Sequence, residues 1–240
     1  MMNKDRRHDI DIFSAADRRG IGMLDARDSR GNKNAYVDLL QKLAIEDCYS
    51  FSGNETILEY GCGTGRISHW LGDRSARVIA ADPEMRLLKI ASEKSRHSNV
   101  LYVQIEESGF PFAKSAFDVI TCIGLFRLVT KSEIHSILSG IKQTLKPGGH
   151  LICIDKVYNK KRPEHYTLDE YAEFFSAHGL TKRSVVPIRK GHWIPLYLVF
   201  IGFVPRSWFS HLARYELKKR PRQRASSWDY YQYLFHYKIE

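Results

Sequence analysis

The stretch that decides the fold is ILEYGCGTGRIS, Ile57–Ser68, in which a strand-like run containing Glu59 is followed by three glycines at alternate positions, Gly61, Gly63 and Gly65. A glycine-rich turn between a strand and a helix lets a ligand approach the main chain and offers it N–H groups at a helix N-terminus. The spacing is G-x-G-x-G. Arg66 stands where the dinucleotide fingerprint G-x-G-x-x-G requires a third glycine, which argues against NAD. The next apolar run, RVIAA (Arg77–Ala81), leads into Asp82, 21 residues after Gly61, where a carboxylate can accept both hydroxyls of a ribose. The expected ligand therefore contains a nucleoside.

Outward from this turn, strand-like runs alternate with helix-period segments. The strands are TILEY (Thr56–Tyr60), RVIAA, VLYVQ (Val100–Gln104), FDVITCI (Phe117–Ile123), HLICID (His150–Asp155) and SVVPI (Ser184–Ile188). Between two of them, Ile134, Ile137, Leu138, Ile141 and Leu145 recur at helical spacing after a Ser132 cap, and the helix is expected to end at Pro147-Gly148-Gly149. Thr167 and Glu170 form a capping-box pair ahead of a second helix that stops at Gly179. Such alternation predicts an α/β protein with a largely parallel sheet covered by helices on both faces.

Four motifs in order resemble the class I S-adenosylmethionine-dependent methyltransferases: ILEYGCGTG, VIAADPEM, FPFAKSAFDVITCIGLF and LKPGGHLICID. The resemblance implies a seven-stranded Rossmann-like sheet with S-adenosylmethionine as cofactor and S-adenosylhomocysteine as product. It also implies that Glu59 and the main chain of Gly61, Cys62, Gly63 and Gly65 face the methionine part. Asp82 would take the ribose, with Pro83 and Met85 against the adenine and Glu106 accepting from its amino group. Cys122, with Ile123 and Gly124, would line the methyl group. The helix around GNKNAYVDLL would bring Lys33 and Tyr36 to the carboxylate and sulfonium. Cys122 lacks the setting of a cytosine-methylating nucleophile and reads as a buried strand cysteine.

A sulfonium methyl is an electrophile, so such a protein mainly aligns the reactants and excludes water. A hydroxyl acceptor still needs a base. Relatives often carry His after strand four, but Arg127 stands there, and the candidates left in the late strands and the loops after them are Asp155, Tyr158, His165 and His192.

The formal charge of +10 is concentrated: residues 206–224 hold seven Arg or Lys and one Glu. Cys48, Cys62, Cys122 and Cys153 form no C-x-x-C pair, no metal site is expected, and reduced thiols point to the cytoplasm. MMNKDRRHDIDIF has no apolar run of signal-peptide length, and no segment reaches the length of a spanning helix. The expected organisation is a polar segment (1–31), a cofactor-binding core (32–190), a helical insertion (191–224) that serves as an acceptor lid or a membrane-facing cap, and a final antiparallel strand (225–240) in YYQYLFHYKI. The insertion mixes Trp193, Tyr197, Trp208 and Phe209 with basic residues, as an interfacial helix does. Pro195 and Pro205 are expected to break its apolar run. The acceptor is therefore expected to be a small or amphiphilic molecule, a saccharide or lipid-linked intermediate, with peripheral contact to an anionic membrane through 193–224. RNA methylation and cofactor binding without catalysis are the alternatives. Nucleic acid is disfavoured because no Asn or Asp followed by Pro-Pro and an aromatic, the mark of base-amino methylases, follows strand four.

Overall fold

The computed structural model describes residues 24–25, 27–106, 109–159, 165–191, 193–219 and 230–240. Seven strands form one sheet: β1 (Thr56–Tyr60), β2 (Arg77–Asp82), β3 (Val100–Gln104), β4 (Phe117–Ile123), β5 (Leu145–Tyr158), β6 (Thr181–Lys190) and β7 (Tyr230–Lys238). Their spatial order is β3-β2-β1-β4-β5-β7-β6. The first five pair in parallel, and β7 runs antiparallel to both β5 and β6. Because β7 opposes both, β6 points the same way as β5.

Helices cover both faces. α1 (Asn32–Cys48) and α2 (Arg66–Gly72) join α6 (Ile194–Phe200) and α7 (Phe209–Lys219) on one face. There Tyr36, Leu40, Ile67, Leu71, Leu196, Val199 and Phe209 pack on Ile57, Val119, Ile154 and Leu234. The short α3 (Met85–Glu93) closes over Cys62 and Ala80 through Leu88. The opposite face carries α4 (Lys131–Thr144) and α5 (Leu168–Ala177), whose Ile137, Leu138, Phe174 and Phe175 meet Leu58, Ile120 and Leu151. Alternate residues of each strand thus feed two cores, which accounts for the nearly unbroken apolar runs of the inner strands.

Several local expectations are corrected. The cap of α4 is Thr130, not Ser132: its hydroxyl accepts from the Glu133 amide and Glu133 reaches back to the Thr130 amide. A capping box needs an acid three residues beyond the cap, and only Thr130 has one. The helix ends at Thr144, before Pro147-Gly148-Gly149, which lie inside β5 at an irregularity in its pairing with β4. β6 extends on both sides of Ser184–Ile188 and includes Arg189. Pro195 opens α6 instead of breaking it, because a missing N–H costs nothing in the first turn. α6 ends at Phe200, the chain turns at Gly202, φ +81°, and Pro205 precedes a 3₁₀ turn at Arg206–Trp208.

α6 and α7 lie on α1. Trp193 stacks on Tyr36 with ring centroids 6.4 Å apart, and Phe209 meets the same ring edge-on at 5.6 Å. Outward, Ile194, Tyr197, Ile201, Phe203 and Trp208 remain 54–78% exposed. Among the described residues no helix is long and apolar enough to cross a membrane.

The cap assignment is testable by equilibrium denaturation. Thr130→Ala is expected to lower stability by about 1 kcal/mol, whereas Ser132→Ala stays within about 0.5 kcal/mol of the wild type.

Candidate functional site

The carboxyl ends of the parallel strands open on one edge of the sheet, and the turn after β1 is its best-defined part. Gly61, Gly63 and Gly65 have φ of +79°, +54° and +75°, a region that L side chains rarely adopt. A Cβ at Gly65 would meet Ala91 Cβ at 2.9 Å and Tyr102 Oη at 3.0 Å, so this glycine permits helix packing. At Gly63 nothing lies within 4 Å, and the turn presents bare main chain to open space.

Asp82 sits beneath that turn, 6% exposed. One oxygen accepts the Gly63 amide at 2.7 Å and the other the Glu84 amide at 2.9 Å. Burial raises its pKa, and these amide bonds counter the rise. Each oxygen keeps a second acceptor position for a ligand hydroxyl. Glu59, also buried, accepts from Ser68 Oγ. Burial pushes its pKa up to about 7, with Ser68 and Arg66 opposing and Asp82 adding to the rise. An acid held near neutrality at the base of the turn gains most from an approaching cation.

Beside Asp82 a cleft of about 510 Å³ is lined by Pro83, Glu84, Gln104, Ile105 and Glu106. Met85, at the start of α3, is 55% exposed and does not line it. Cys62 is buried against Ala80 and Leu88, which leaves only its main chain at the turn. Cys122 lies in the core directly opposite Cys153, and all four cysteines are free thiols.

The late-strand candidates separate by position. Asp155 accepts from the amides of Lys156 at 2.7 Å and Arg127 at 3.2 Å, so its carboxylate holds the connection after β4. Tyr158 and His165 stack at 3.8 Å with their planes 8° apart. His192 lies outside the described residues. Lys33 is ion-paired to Asp25 at 2.5 Å. Tyr36 is fully buried on the first turn and a half of α1, and its hydroxyl donates to Glu216 Oε2 of α7 at 2.7 Å.

Residues that the sequence did not single out complete this side. Lys156, Gln232 and Arg189 are directly opposed across β5, β7 and β6. Burial, with the positive charges of Arg127, Arg189 and Lys33 adding to it and Asp155 opposing, depresses Lys156 to about 8. Glu216 is raised to about 7 by burial, with the Tyr36 hydrogen bond and Arg189 opposing. The available signal for Glu216 was its being the only acid in the basic run.

Residues 57–149 match the family described as "Methyltransferase domain". Among curated proteins, the ubiquinone/menaquinone biosynthesis C-methyltransferase UbiE of Klebsiella pneumoniae is 35% identical over 127 residues, covering 50% of this chain and 49% of that protein. The demethylmenaquinone methyltransferase of Lactococcus lactis is 32% identical over 138 residues, 55% of this chain and 50% of its own length. The chain thus spans about half the length of these relatives. Among solved structures, geranyl diphosphate C-methyltransferase from Streptomyces coelicolor superposes with a TM-score of 0.65 at 15% identity, over 91% of this chain and 87% of that one. A SAM-dependent methyltransferase from Aquifex aeolicus gives 0.61 at 18% identity, over 91% and 100%. At these identities the structural matches establish the fold.

Glu216 gives a pH prediction. A carboxyl raised from 4.5 to about 7 binds its proton more tightly in the fold, so its contribution to stability falls as pH climbs through that window. Glu216→Gln removes the titration. Urea denaturation should find the variant equal to the wild type near pH 4.5 and more stable at pH 8, by up to about 3 kcal/mol.

Proposed function

We propose, from a chain whose residues 57–149 match the family described as a methyltransferase domain, that the protein is a class I, S-adenosylmethionine-dependent enzyme that methylates a small or amphiphilic acceptor. The observation that carries this reading is the open main chain at Gly63 above the buried Asp82. Its room and its acceptor oxygens suit a ribose, and the donors and acids around it suit the rest of the cofactor. Glu59 and the turn would hold the amino-acid part, Asp82 the ribose, and the cleft containing Pro83 and Glu106 the adenine. Cys62 contributes main chain alone. When bound, the cofactor supplies an electrophilic methyl on a sulfonium, which needs alignment with the acceptor more than acid or base assistance.

The remaining work falls to the late strands. Asp155 fixes the Arg127 loop through main-chain amides and so serves as a positioning residue. Cys122 would bound the methyl side from within the core, beside the main chain of Gly124, whose amide bonds the Ile154 carbonyl at 2.7 Å. Tyr158 and His165, at the end of β5, stay candidates for proton removal from a hydroxyl acceptor. Lys33, on α1, would close the site over the methionine part, while Tyr36, buried with its hydroxyl on Glu216, would brace that helix.

The insertion supports an amphiphilic acceptor. Its helices turn Ile194, Tyr197, Ile201 and Phe203 outward, and Lys218 and Lys219 end α7. An apolar surface bordered by cations suits an anionic bilayer surface. Residues Arg220, Arg222 and Arg224, which continue the basic run, lie outside the described residues.

Calorimetry with S-adenosylhomocysteine and NAD tests the cofactor. The former should bind, with NAD at least about tenfold weaker, and Asp82→Ala should cost roughly 1.5–3 kcal/mol of affinity. Unchanged affinity in a folded variant removes the ribose assignment. Labelled cofactor incubated with cell fractions should pass its label to small molecules or lipid extract. Label in RNA, or in no fraction, overturns the acceptor reading. Anionic vesicles should retain the protein at low salt and release it when Lys218, Lys219, Arg220, Arg222 and Arg224 are neutralised, each charge being worth on the order of 1 kcal/mol.

A further inference from the structure

Arg189 is the least satisfied cation in the described structure. It is 3% exposed, yet Nε and Nη1 have no hydrogen-bond partner, and only Nη2 reaches an acceptor, Tyr230 Oη at 3.3 Å. A buried unpaired donor is expensive, and a buried cation more so. Its opposite number on β7, Gln232, also has an unpartnered buried oxygen, Oε1.

The neighbourhood does not neutralise this charge. Lys156 is directly opposite Gln232 on the other side and lies 4.7 Å from the Tyr230 ring, and among the described residues no carboxylate pairs with its ammonium. Arg127, in the loop after β4, adds positive charge around the same ammonium, and so does Lys33 on α1, itself paired to Asp25. Two acids are near. Asp155 is engaged by main-chain amides, and Glu216 accepts from Tyr36 and is held close to half-protonated at neutral pH. The result is a positive, largely buried cluster at the carboxyl ends of β5 and β6, with unused donors on Arg189.

We propose that this cluster binds an anionic oxygen group, a carboxylate or a phosphate, carried by the methyl acceptor, with Arg189 as its principal ligand and Lys156 as the second. The assignment rests on the methyltransferase reading for the word acceptor; the anion site itself does not. An acidic head held here leaves the rest of the acceptor to extend past Trp193, whose ring stacks on Tyr36. A charge-assisted pair inside a desolvated pocket is also a strong selector, because an uncharged analogue leaves the same donors unpaired.

The test uses the full chain saturated with S-adenosylhomocysteine, titrated at matched ionic strength with phenyl phosphate, benzoate and the neutral control benzyl alcohol. At least one anion should bind saturably and the alcohol should not. Arg189→Met should weaken anion binding by about tenfold or more, and Lys156→Met should do so to a smaller degree. Arg189→Lys should recover part of the affinity. S-adenosylhomocysteine affinity should stay within about twofold in all three. Removing an orphaned buried cation should leave the melting temperature of the ligand-free protein unchanged or higher, which a structural role for Arg189 would not. Anion binding that survives Arg189→Met, a lower melting temperature in that variant, or no anion binding by the wild type overturns the assignment. Anion binding without S-adenosylhomocysteine binding would leave the site standing and remove the methyltransferase reading instead.

Discussion

Buried carboxylates that accept main-chain N–H groups hold the functional edge of this sheet in shape. Where parallel strands end, their connecting loops turn away from any ladder and their amides need other partners. Asp82 takes up those of Gly63 and Glu84, and Asp155 those of Arg127 and Lys156. The same device recurs at the other end of the sheet, where Asp118 accepts from Thr56 and Glu55 from Ser52 and Gly53. Each acid is buried or half-buried and each fixes a turn or, for Asp118, the start of a neighbouring strand. The glycine turn is held at Gly63 by Asp82 and at Gly61, Cys62 and Gly65 by main-chain bonds to Ala81 and Cys62.

This division of labour accounts for what could be read from the chain. β1 and β4 were legible to the residue because inner strands are apolar runs bounded by turn residues, the edge strand β3 because its run is short and β-branched, and the Thr167–Glu170 box because capping is local. Glu59, Asp82 and the glycines were legible because motif spacing records a local strand-turn-helix. The cap at Thr130 was missed by favouring proximity over the Glu133 partner. Asp155 and Lys156 show the limit best. They are adjacent in sequence, but a strand sends neighbours to opposite faces, so one braces a loop above the α4–α5 core and the other joins the cationic cluster. Arg189, Gln232 and Lys156 come together only through β7, whose register no local pattern encodes.

The two halves of the edge differ in electrostatic character. Around the glycine turn the buried groups are acids, Glu59 and Asp82, with Glu106 at the cleft. Around β5 and β6 they are cations, with Glu216 raised toward neutrality. A protein that must hold a cationic cofactor beside a differently charged partner has reason to separate these fields, since each would weaken the other's ligand if mixed. The insertion contributes to the second half by supplying Glu216 and by covering Tyr36 with Trp193 and Phe209.

The strand order carries a kinetic consequence. β6 has no neighbour in the sheet except β7, which is made some 40 residues later, so β6 cannot join until the last strand has slotted in beside β5. The glycine-turn half, β1 to β5, is built from connections that are short in sequence and can condense first. Its cationic counterpart waits for contacts such as Tyr36 to Glu216, 180 positions apart. Long-range closures of this kind are slow and come late. During synthesis the chain would therefore pass through a species with one half of the sheet formed, the β5 edge unpaired and the aromatic side of α1 uncovered. That intermediate, more than the finished protein, is where a chaperone or an aggregation partner would find purchase.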